Sequence, residues 1–448
     1  MDRTKEMENL LNVVKSSNHV SPDLYETYNV KRGLRNSDGT GVLVGLTAIG
    51  DVHGYIIDER EKVDVEGRLS YRGINIYDIV HACQTERRYG FEETAYLLLF
   101  GKLPSKNQLD NFTDLLGSER TLPEKFAKNV IYRCPSPDIM NKLSTCVLSL
   151  YADDENPDDI SLPNILRQSV SLVAKIPVFI SFAYHSKEYF YNKAPLYIPD
   201  IDPVGSTAEC FLRMLRPDGS FTKEEAEILD LCLVIHAEHG GGNNSSFTTH
   251  VVSSTGTDTY SAISAAISSL KGPKHGGANN RVMGMMDEIK ANVKDWKDDD
   301  EVKAYIKKIL EGNAYDKSGL VYGIGHAIYT ISDPRAVLLK EQAQKLAKIK
   351  GRSEEFNLYK SIERITPDIF REIKGIDRAM SANVDFYSGF VYNMLEIPPE
   401  LYTPIFAMSR IVGWCAHRIE EVMIGKKIMR PAYKSVSKKK GYTPINER

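Results

Sequence analysis

The chain has few cysteines, and they form no pattern typical of a disulfide framework or a metal site. Six cysteines are scattered over 448 residues, and no two of them form a Cys-x-x-Cys pair. Isolated cysteines of this kind are typical of reduced, mostly buried thiols. We therefore predict a cytoplasmic protein, with neither disulfides nor a zinc ion held by cysteine.

The chain also lacks strong charge of one sign, a targeting segment and a long apolar run. Its formal net charge is -3, which argues against nucleic acid or an anionic membrane surface as the main partner. The first eight residues carry acids and no apolar segment, so they resemble neither a secretory signal nor a transit peptide. We find no uninterrupted apolar run long enough to span a bilayer, and we expect no membrane partner.

What the sequence does contain is helical periodicity. Between residues 42 and 73 the pattern is short and alternating, which predicts a few small strands with turns at Asp38-Gly39, Gly50-Asp51 and Glu66-Gly67. After Gly73 the apolar residues recur with a period of 3.6. The predicted helices cover about 105–116, 138–151, 162–184, 207–215, 222–235, 260–270, 283–293, 302–310, 336–349, 354–370 and 402–423. This pattern predicts an all-α protein with minor β-strands near its N-terminus.

Three histidine clusters lie beside glycines, where helical runs end. They are His236-Ala-Glu-His239-Gly-Gly-Gly, Gly272-Pro-Lys-His275-Gly-Gly and Gly323-Ile-Gly-His326, and Asp333-Pro-Arg335 follows the third. Glycine lets a backbone approach a ligand closely, and an imidazole at a helix end is well placed to contact that ligand. Packing alone does not require three such clusters, so we interpret them as parts of a site.

Two other interpretations of these histidines remain open. His236 and His239 are three residues apart and would face one way on a helix, with Glu238 nearby, as a metal site requires. The spacing is not His-Glu-x-x-His, however, and no third ligand is marked, so we predict no metal. The histidines could also be buried, hydrogen-bonded residues with no chemical role.

Taken together, these motifs resemble those of the citrate synthase family from about Gly67 to Pro431. The supporting motifs are the three clusters and Gly67-Arg-Leu-Ser-Tyr-Arg-Gly73, Asp333-Pro-Arg-Ala336, Asn383-Val-Asp-Phe-Tyr-Ser-Gly389, Ser409-Arg-Ile-Val-Gly-Trp414 and Arg430-Pro431. Each motif alone is weak, but their common order is specific.

The resemblance implies condensation of acetyl-CoA with oxaloacetate and hydrolysis of the thioester, a reaction of the tricarboxylic acid cycle. It implies that Asp385 is the general base, that His275 stabilises the enol(ate), and that His326 polarises the oxaloacetate carbonyl. Because guanidinium groups bind carboxylates in a bidentate manner, arginines would hold oxaloacetate. The implied oxaloacetate ligands are His236, Arg335, Arg410 and Arg430.

The resemblance also implies a homodimer in which Arg430 reaches the neighbouring subunit's site. The loop Val321, Tyr322, Gly323, Ile324 and Gly325 would bind the adenine of CoA, and no cofactor is implied beyond the substrates. We predict a large helical domain, 1–277 with 387–448, and a small helical domain, 278–386. Since the implied residues come from both, the site is expected in the cleft between them.

Three departures from the family pattern leave the acyl-CoA preference open. Glu238 stands where Asp is common, Gly240-Gly241 replace a Glu and a bulkier residue, and Ala327 replaces an Arg. A 2-methylcitrate synthase that uses propionyl-CoA is therefore an alternative, because one methylene is worth only about 1 to 3 kcal/mol. A zinc hydrolase and a non-catalytic helical scaffold are alternatives from other classes.

Overall fold

The computed structural model describes residues 3–36, 39–59, 61–375 and 379–447. Backbone contacts divide the chain into two compact units. The first combines Met1–Gly45 with Met429–Arg448, and the second is Leu46–Ile428. The domain boundaries predicted at 277/278 and 386/387 do not coincide with this division, and they stay a prediction.

The structure is mainly helical, so the predicted fold class is confirmed. In the first unit the helices are α1 (Arg3–Ser17) and α2 (Asp23–Thr27). In the second unit they are α3 (Ile76–Glu86), α4 (Phe91–Phe100), α5 (Lys106–Glu119), α6 (Ile139–Ser149), α7 (Leu162–Asn192), α8 (Thr207–Leu215), α9 (Lys223–His236), α10 (Asn244–Ser253), α11 (Thr259–Lys271), α12 (Ala278–Asn292), α13 (Asp299–Leu310), α14 (Pro334–Ile349), α15 (Ser353–Lys374), α16 (Val384–Met394) and α17 (Tyr402–Ile424). Short turns of 3-10 or π type lie at Arg32–Leu34, Ala127–Tyr132, Leu150–Asp153, Pro399–Leu401 and Ile445–Glu447.

The strands form one antiparallel sheet in the order β1-β2-β3, with β1 at Gly50–Asp58, β2 at Glu61–Tyr71 and β3 at Ile74–Asn75. Two of the predicted turns are wrong, because Gly50-Asp51 opens β1 and Glu66-Gly67 lies inside β2. A Cβ at Gly67 would lie 2.1 Å from the carbonyl oxygen of Ser332, so this glycine permits close backbone contact rather than a turn. Of the third predicted turn, Asp38 lies outside the described residues.

Two helices near the site were not predicted. Helix α10 follows three glycines and is rich in serine and threonine, and Asn243 caps it by accepting a hydrogen bond from the Ser245 amide. Helix α16 begins at Val384 and is capped by Asn383, and its range lies between the predicted helices 354–370 and 402–423. In both helices a capping asparagine supplies the start signal that the apolar pattern does not show.

Helix α7 is longer than predicted, and it bears on the membrane prediction. Among the described helices it alone is long and apolar enough, by length and composition, to cross a membrane. Arg167 and Lys175 interrupt the apolar sequence of this helix, so it is not an uninterrupted apolar run of that length. In addition, 83% of the apolar stretch is buried inside the protein, which is typical of a core helix.

Helix α17 lies at the centre of the second unit and packs against α4, α7, α9, α10 and α11. Its buried side chains include Arg410, Trp414 and His417, each of them 0% exposed. A helix with polar side chains so deep in the core must supply partners for them or leave a place for a ligand.

The first unit has little apolar burial of its own. Helix α1 has no buried residue, and the side chains of Leu10 and Leu11 are about half exposed. In the C-terminal segment, Lys434 lies over the ring of Tyr28, with its Nζ 5.4 Å from the ring centroid. The segment 434–440 forms neither helix nor strand.

Candidate active site

The first side chain of the site is His236, the last residue of α9. A capping box between Thr222 and Glu225 starts this helix, and His236 is 1% exposed. Its Nδ1 donates to the carbonyl oxygen of Cys232 at 2.7 Å, which leaves Nε2 as the acceptor of the neutral ring. Burial lowers the pKa of His236 to about 3, so the ring is neutral at physiological pH.

His239 lies beyond the end of α9 rather than on its face. The expectation that His236 and His239 face one way on a helix is therefore wrong, because the helix ends between them. Among the described residues, the two do not belong to any group of three potential metal ligands. Burial, followed by the charge of Arg335, holds the pKa of His239 well below its usual value.

His326 faces His239, and the two ring centroids are 5.4 Å apart. The Nδ1 atom of His326 accepts hydrogen bonds from the amides of Ile328 and Tyr329, both at 3.1 Å. Since Nδ1 is an acceptor, the proton of the neutral ring lies on Nε2. His326 therefore has an N–H with which it can polarise a carbonyl.

The predicted CoA loop, 321–325, is paired with the segment just before Asp385. The amide of Gly325 donates to the carbonyl of Ser381 at 2.7 Å, and the amide of Asn383 donates to the carbonyl of Gly323 at 2.8 Å. Gly323 has a φ of +82°, and a Cβ there would lie 2.8 Å from the ring of Phe386. This glycine lets the loop carrying His326 lie against the start of α16.

Asp385 lies half-buried in the first turn of α16. Burial raises its pKa to about 6, and the charges of Arg335 and Arg410 oppose that rise. A carboxylate with a pKa this close to neutrality can serve as a general base at physiological pH.

Arg335 is held by Asp333 at the start of α14. Its Nε and Nη2 donate to the two carboxylate oxygens at 3.0 and 2.8 Å. The same carboxylate accepts the amide of Val384 at 3.2 Å. One buried aspartate therefore fixes both the arginine and the helix that carries Asp385.

Arg410 is 0% exposed and points toward the end of α9. Its Nε donates to the carbonyl of His236 at 2.7 Å, and its Cζ lies 4.8 Å from the ring centroid of Phe406. Within the described part of the chain, neither of its two terminal nitrogens has a hydrogen-bond partner. Burial lowers the pKa of Arg410 to about 10, which leaves it charged, and a buried guanidinium with unpaired nitrogens is suited to bind an anion.

His275 lies in the turn between α11 and α12, shortly before the N-terminus of α12. Its Nε2 is 3.1 Å from the hydroxyl of Ser245, which also accepts the indole N–H of Trp414 at 3.0 Å. Burial, followed by the charge of Arg410, lowers the pKa of His275 to about 4. Its neutral form is therefore favoured.

The ring of Phe406 connects these groups, since its centroid is 4.7 Å from that of His236 and 6.5 Å from that of His275. The structure thus groups six predicted residues. Two of them are arginines, Arg335 and Arg410, whose charges shift the pKa values of His236 and Asp385. The six are His236, His275, His326, Arg335, Asp385 and Arg410. Arg430 is exposed and belongs to the other unit.

Three contributors to the site had no role in the predicted reaction. His239 was placed in the site through the first histidine cluster, but metal binding was the one role considered for it. Asp333 was noted only as part of a motif, and Phe406 carries no signal in the sequence. Aromatic residues in an apolar helix are usually core residues, so only the structure distinguishes Phe406 from its neighbours.

Two surface cavities lie apart from this group. One is lined by Lys340, Asn357, Lys360, Ser361, Glu363 and Arg364, and the other lies mainly between α3 and α9. Neither cavity is lined by any of the histidines of the site.

Comparison with known proteins agrees with this geometry. Residues 38–432 match the family described as citrate synthase, C-terminal domain. The citrate synthase of Synechocystis sp. is 32% identical over 389 residues, which cover 86% of this chain and 89% of the relative. The 2-methylcitrate synthase 1 of Corynebacterium glutamicum is 31% identical, over 85% of this chain and 92% of the relative.

Among solved structures, a citrate synthase from the archaeon Thermoplasma acidophilum is similar to the whole fold. That protein was solved as a ternary complex with carboxymethyl coenzyme A and oxaloacetate. The TM-score is 0.75 at 26% identity, and the match covers 94% of this chain and 99% of that one. The buried arginines and neutral histidines thus lie in a chain whose sequence and fold agree: it belongs to the citrate synthase family of acyltransferases.

Proposed function

We propose that this enzyme condenses acetyl-CoA with oxaloacetate and hydrolyses the resulting thioester to citrate and CoA. The observation that carries the proposal is Asp385, a carboxylate with a pKa of about 6 within the field of two buried arginines. A thioester methyl group is a very weak acid, so its deprotonation needs both a base and stabilisation of the enolate. The grouping around Asp385 supplies candidates for both.

In the proposed first step, Asp385 removes a proton from the methyl group of acetyl-CoA. His275, neutral because of burial and Arg410, donates a hydrogen bond to the thioester oxygen as charge develops there. Its partner Ser245 has one hydroxyl proton, which it donates to Asn243 Oδ1 at 2.9 Å, so its oxygen accepts the Nε2 proton of His275 in this structure. In the proposed step, that Nε2–H turns from Ser245 to the thioester oxygen.

In the second step, the enol(ate) carbon attacks the carbonyl carbon of oxaloacetate. His326, whose Nε2 carries the proton, donates to that carbonyl oxygen and protonates the alkoxide that forms. Arg335 and Arg410 bind the carboxylates, and His236 provides a further polar contact. Water then cleaves the thioester and releases CoA, and no metal or cofactor takes part in this scheme.

The remaining parts of the proposal extend beyond one chain. We assign loop 321–325 to the adenine of CoA, and the site to a cleft that closes between the large and small domains. Arg430 would complete the oxaloacetate site of a second copy, so the active form would be a homodimer. The setting would be the tricarboxylic acid cycle in the cytoplasm, with neither nucleic acid nor a membrane as partner.

A second candidate is the same reaction with propionyl-CoA, which gives 2-methylcitrate. The relative named 2-methylcitrate synthase 1 supports this candidate. It is 31% identical to this chain, within one percentage point of the Synechocystis citrate synthase at 32%. Both acyl-CoA substrates would use the same base and the same arginines.

The test is release of free CoA thiol with oxaloacetate and either acetyl-CoA or propionyl-CoA, measured side by side. We expect the higher kcat/KM with acetyl-CoA, and a higher value with propionyl-CoA would favour the second candidate. Asp385→Asn should lose at least about 100-fold in kcat while it still binds oxaloacetate, because it removes the base and leaves the arginines. An Asp385→Asn variant with near wild-type turnover would show that another group is the base.

A further inference from the structure

A buried pair of imidazoles lies directly behind the site and has no part in the proposed reaction. The pair consists of His250 on α10 and His417 on α17, and the His250 Nε2 and His417 Nδ1 atoms are 2.9 Å apart. The other nitrogen of each ring faces a carboxylate. His250 Nδ1 lies 2.8 Å from Glu421 Oε2, and His417 Nε2 lies 3.0 Å from Glu238 Oε1.

The two outer contacts determine what the inner nitrogens can be. An ionised carboxylate can only accept hydrogen bonds, so the outer nitrogen of each ring carries a proton. If both rings are neutral, the two inner nitrogens then present lone pairs to each other at 2.9 Å. Such contact is repulsive unless a cation lies between the nitrogens, and that cation is either a proton or a metal ion.

A third donor atom points to the metal ion. Glu420 is 9% exposed, and its Oε1 accepts the amide of Ala48 at 2.8 Å. Its Oε2 is buried, has no hydrogen-bond partner among the described residues, and lies 3.9 Å from His417 Nδ1. The three ligand atoms of His250, His417 and Glu420 all lie within 4.8 Å of one another. A buried carboxylate oxygen without a donor is costly, and a metal ion would satisfy it.

We propose that His250, His417 and Glu420 bind one zinc ion that fastens α10 to α17 behind the substrate site. Two nitrogens bound to tetrahedral zinc are about 3.4 Å apart, so the rings need to separate by only about 0.5 Å. Zinc-bound histidines usually donate their second N–H to a carboxylate, as these two do to Glu421 and Glu238. Gly241 leaves room for a water as fourth ligand, because even a Cβ there would stay 3.6 Å from His250 Nε2.

This zinc ion is structural and does not touch the substrates, so the inference does not depend on the proposed function. Glu238 connects the two regions, because it follows His236 and precedes His239 along the chain while its side chain contacts His417. Zinc would thereby fix the backbone between two histidines of the site.

The test measures metal in the full-length protein, purified without a histidine tag, by mass spectrometry and by titration of chelator-treated protein with Zn²⁺. We expect about one zinc ion per chain, and Co²⁺ in its place should give the visible absorption bands of a tetrahedral site. Chelator treatment should lower the melting temperature, and Zn²⁺ should restore it. Chelator-treated protein that takes up no Zn²⁺ would overturn the proposal and leave a shared proton between the rings.

Variants locate the ion. Glu420→Gln keeps an acceptor for the Ala48 amide but removes the anionic ligand, and His250→Gln removes a nitrogen ligand; each should abolish uptake. The matched control is His185→Gln, since His185 is a buried histidine whose ring bonds the carbonyl of Met214 elsewhere in the fold. Uptake that persists in Glu420→Gln and His250→Gln would place the ion elsewhere. If either variant fails to fold, the Co²⁺ spectrum of the wild-type protein still shows whether the protein has a tetrahedral metal site with nitrogen ligands.

Discussion

At the scale of single residues, the site consists of charged or polar groups that the protein core would otherwise exclude. Asp385 is held in a setting that raises its pKa, while Asp333 is stabilised as an anion by Arg335, which outweighs the effect of burial and lowers its pKa. These two aspartates, which both interact with the charge of Arg335, thus take opposite roles. One is held ready to accept a proton, and the other anchors an arginine.

This contrast predicts opposite effects of two substitutions on stability. The folded pKa of Asp385 is about 6, above about 3.9 for an unfolded aspartate, so the folded state binds its proton more tightly. Ionisation of Asp385 therefore does not change the free energy of unfolding below pH 4. It lowers that free energy increasingly between pH 4 and 6, and by about 2 to 3 kcal/mol above that range. Asp385→Asn should raise the free energy of unfolding at pH 7.5 by about 1 to 2 kcal/mol and have little effect at pH 4.

Urea unfolding at both pH values measures this difference, and Asp333→Asn is its matched control. Asp333→Asn removes a paired anion and should destabilise the protein at pH 7.5 by about 3 kcal/mol. If both substitutions destabilised the protein equally at pH 7.5, Asp385 would not be a strained carboxylate. The same pKa predicts that kcat/KM falls as the pH drops through about 6, because Asp385 then gains its proton.

At the scale of elements, the site depends on a loop, 321–325, pressed against the start of α16. The backbone pairing of this loop with 381–383 sets the distance between His326 and Asp385. That pairing is possible because Gly323 has positive φ and no side chain.

Gly323→Ala should therefore separate the loop from α16 and reduce kcat by at least about 10-fold. The control is Gly351→Ala, because Gly351 also has positive φ, +69°, but a Cβ there would meet nothing within 4 Å. Gly351→Ala should cost about 1 kcal/mol of stability and leave kcat unchanged. Steady-state kinetics report the effect of each variant on kcat, and thermal unfolding reports its effect on stability. The comparison separates backbone strain, which both variants share, from displacement of the loop, which is expected in Gly323→Ala alone. Equal kinetics in the two variants would contradict the role assigned to this loop contact.

The elements also show how far sequence reasoning reaches. Long amphipathic helices such as α9 and α11 were predicted within a few residues, because their apolar period and capping residues agree. Helix α10 was missed because its serines, threonines and preceding glycines suggest a loop, while its burial comes from α11 and α17, distant in sequence. The six grouped residues could be predicted through the family's motifs, whereas the contact of Phe406 with two histidines depends on tertiary packing alone.

At the scale of the whole molecule, the first unit exposes apolar side chains and carries Arg430. The exposed fractions of Leu43 and Tyr433 are 84% and 95%. A second copy that covers such residues would account for their exposure, in agreement with the proposed dimer.

Mixing two inactive variants tests whether Arg430 acts across that interface. Arg430→Ala and Asp385→Asn chains, unfolded together and refolded, should form mixed dimers in which one of the two sites is complete. Random pairing would then restore about a quarter of wild-type activity. Each variant refolded alone is the control and should stay near background. If mixing restores nothing although size measurements show mixed dimers, Arg430 serves its own chain or no site at all.

The shared anchor at Asp333 has a consequence for how this enzyme can diverge. Its carboxylate holds Arg335 and the amide of Val384 at once, so a change there would disturb an acid-binding group and the base together. New substrate preference is therefore expected to arise through substitutions that leave this junction intact. Laboratory evolution toward another acyl donor should accordingly retain Asp333 in every active lineage, while the residues that contact the acyl group of the substrate vary.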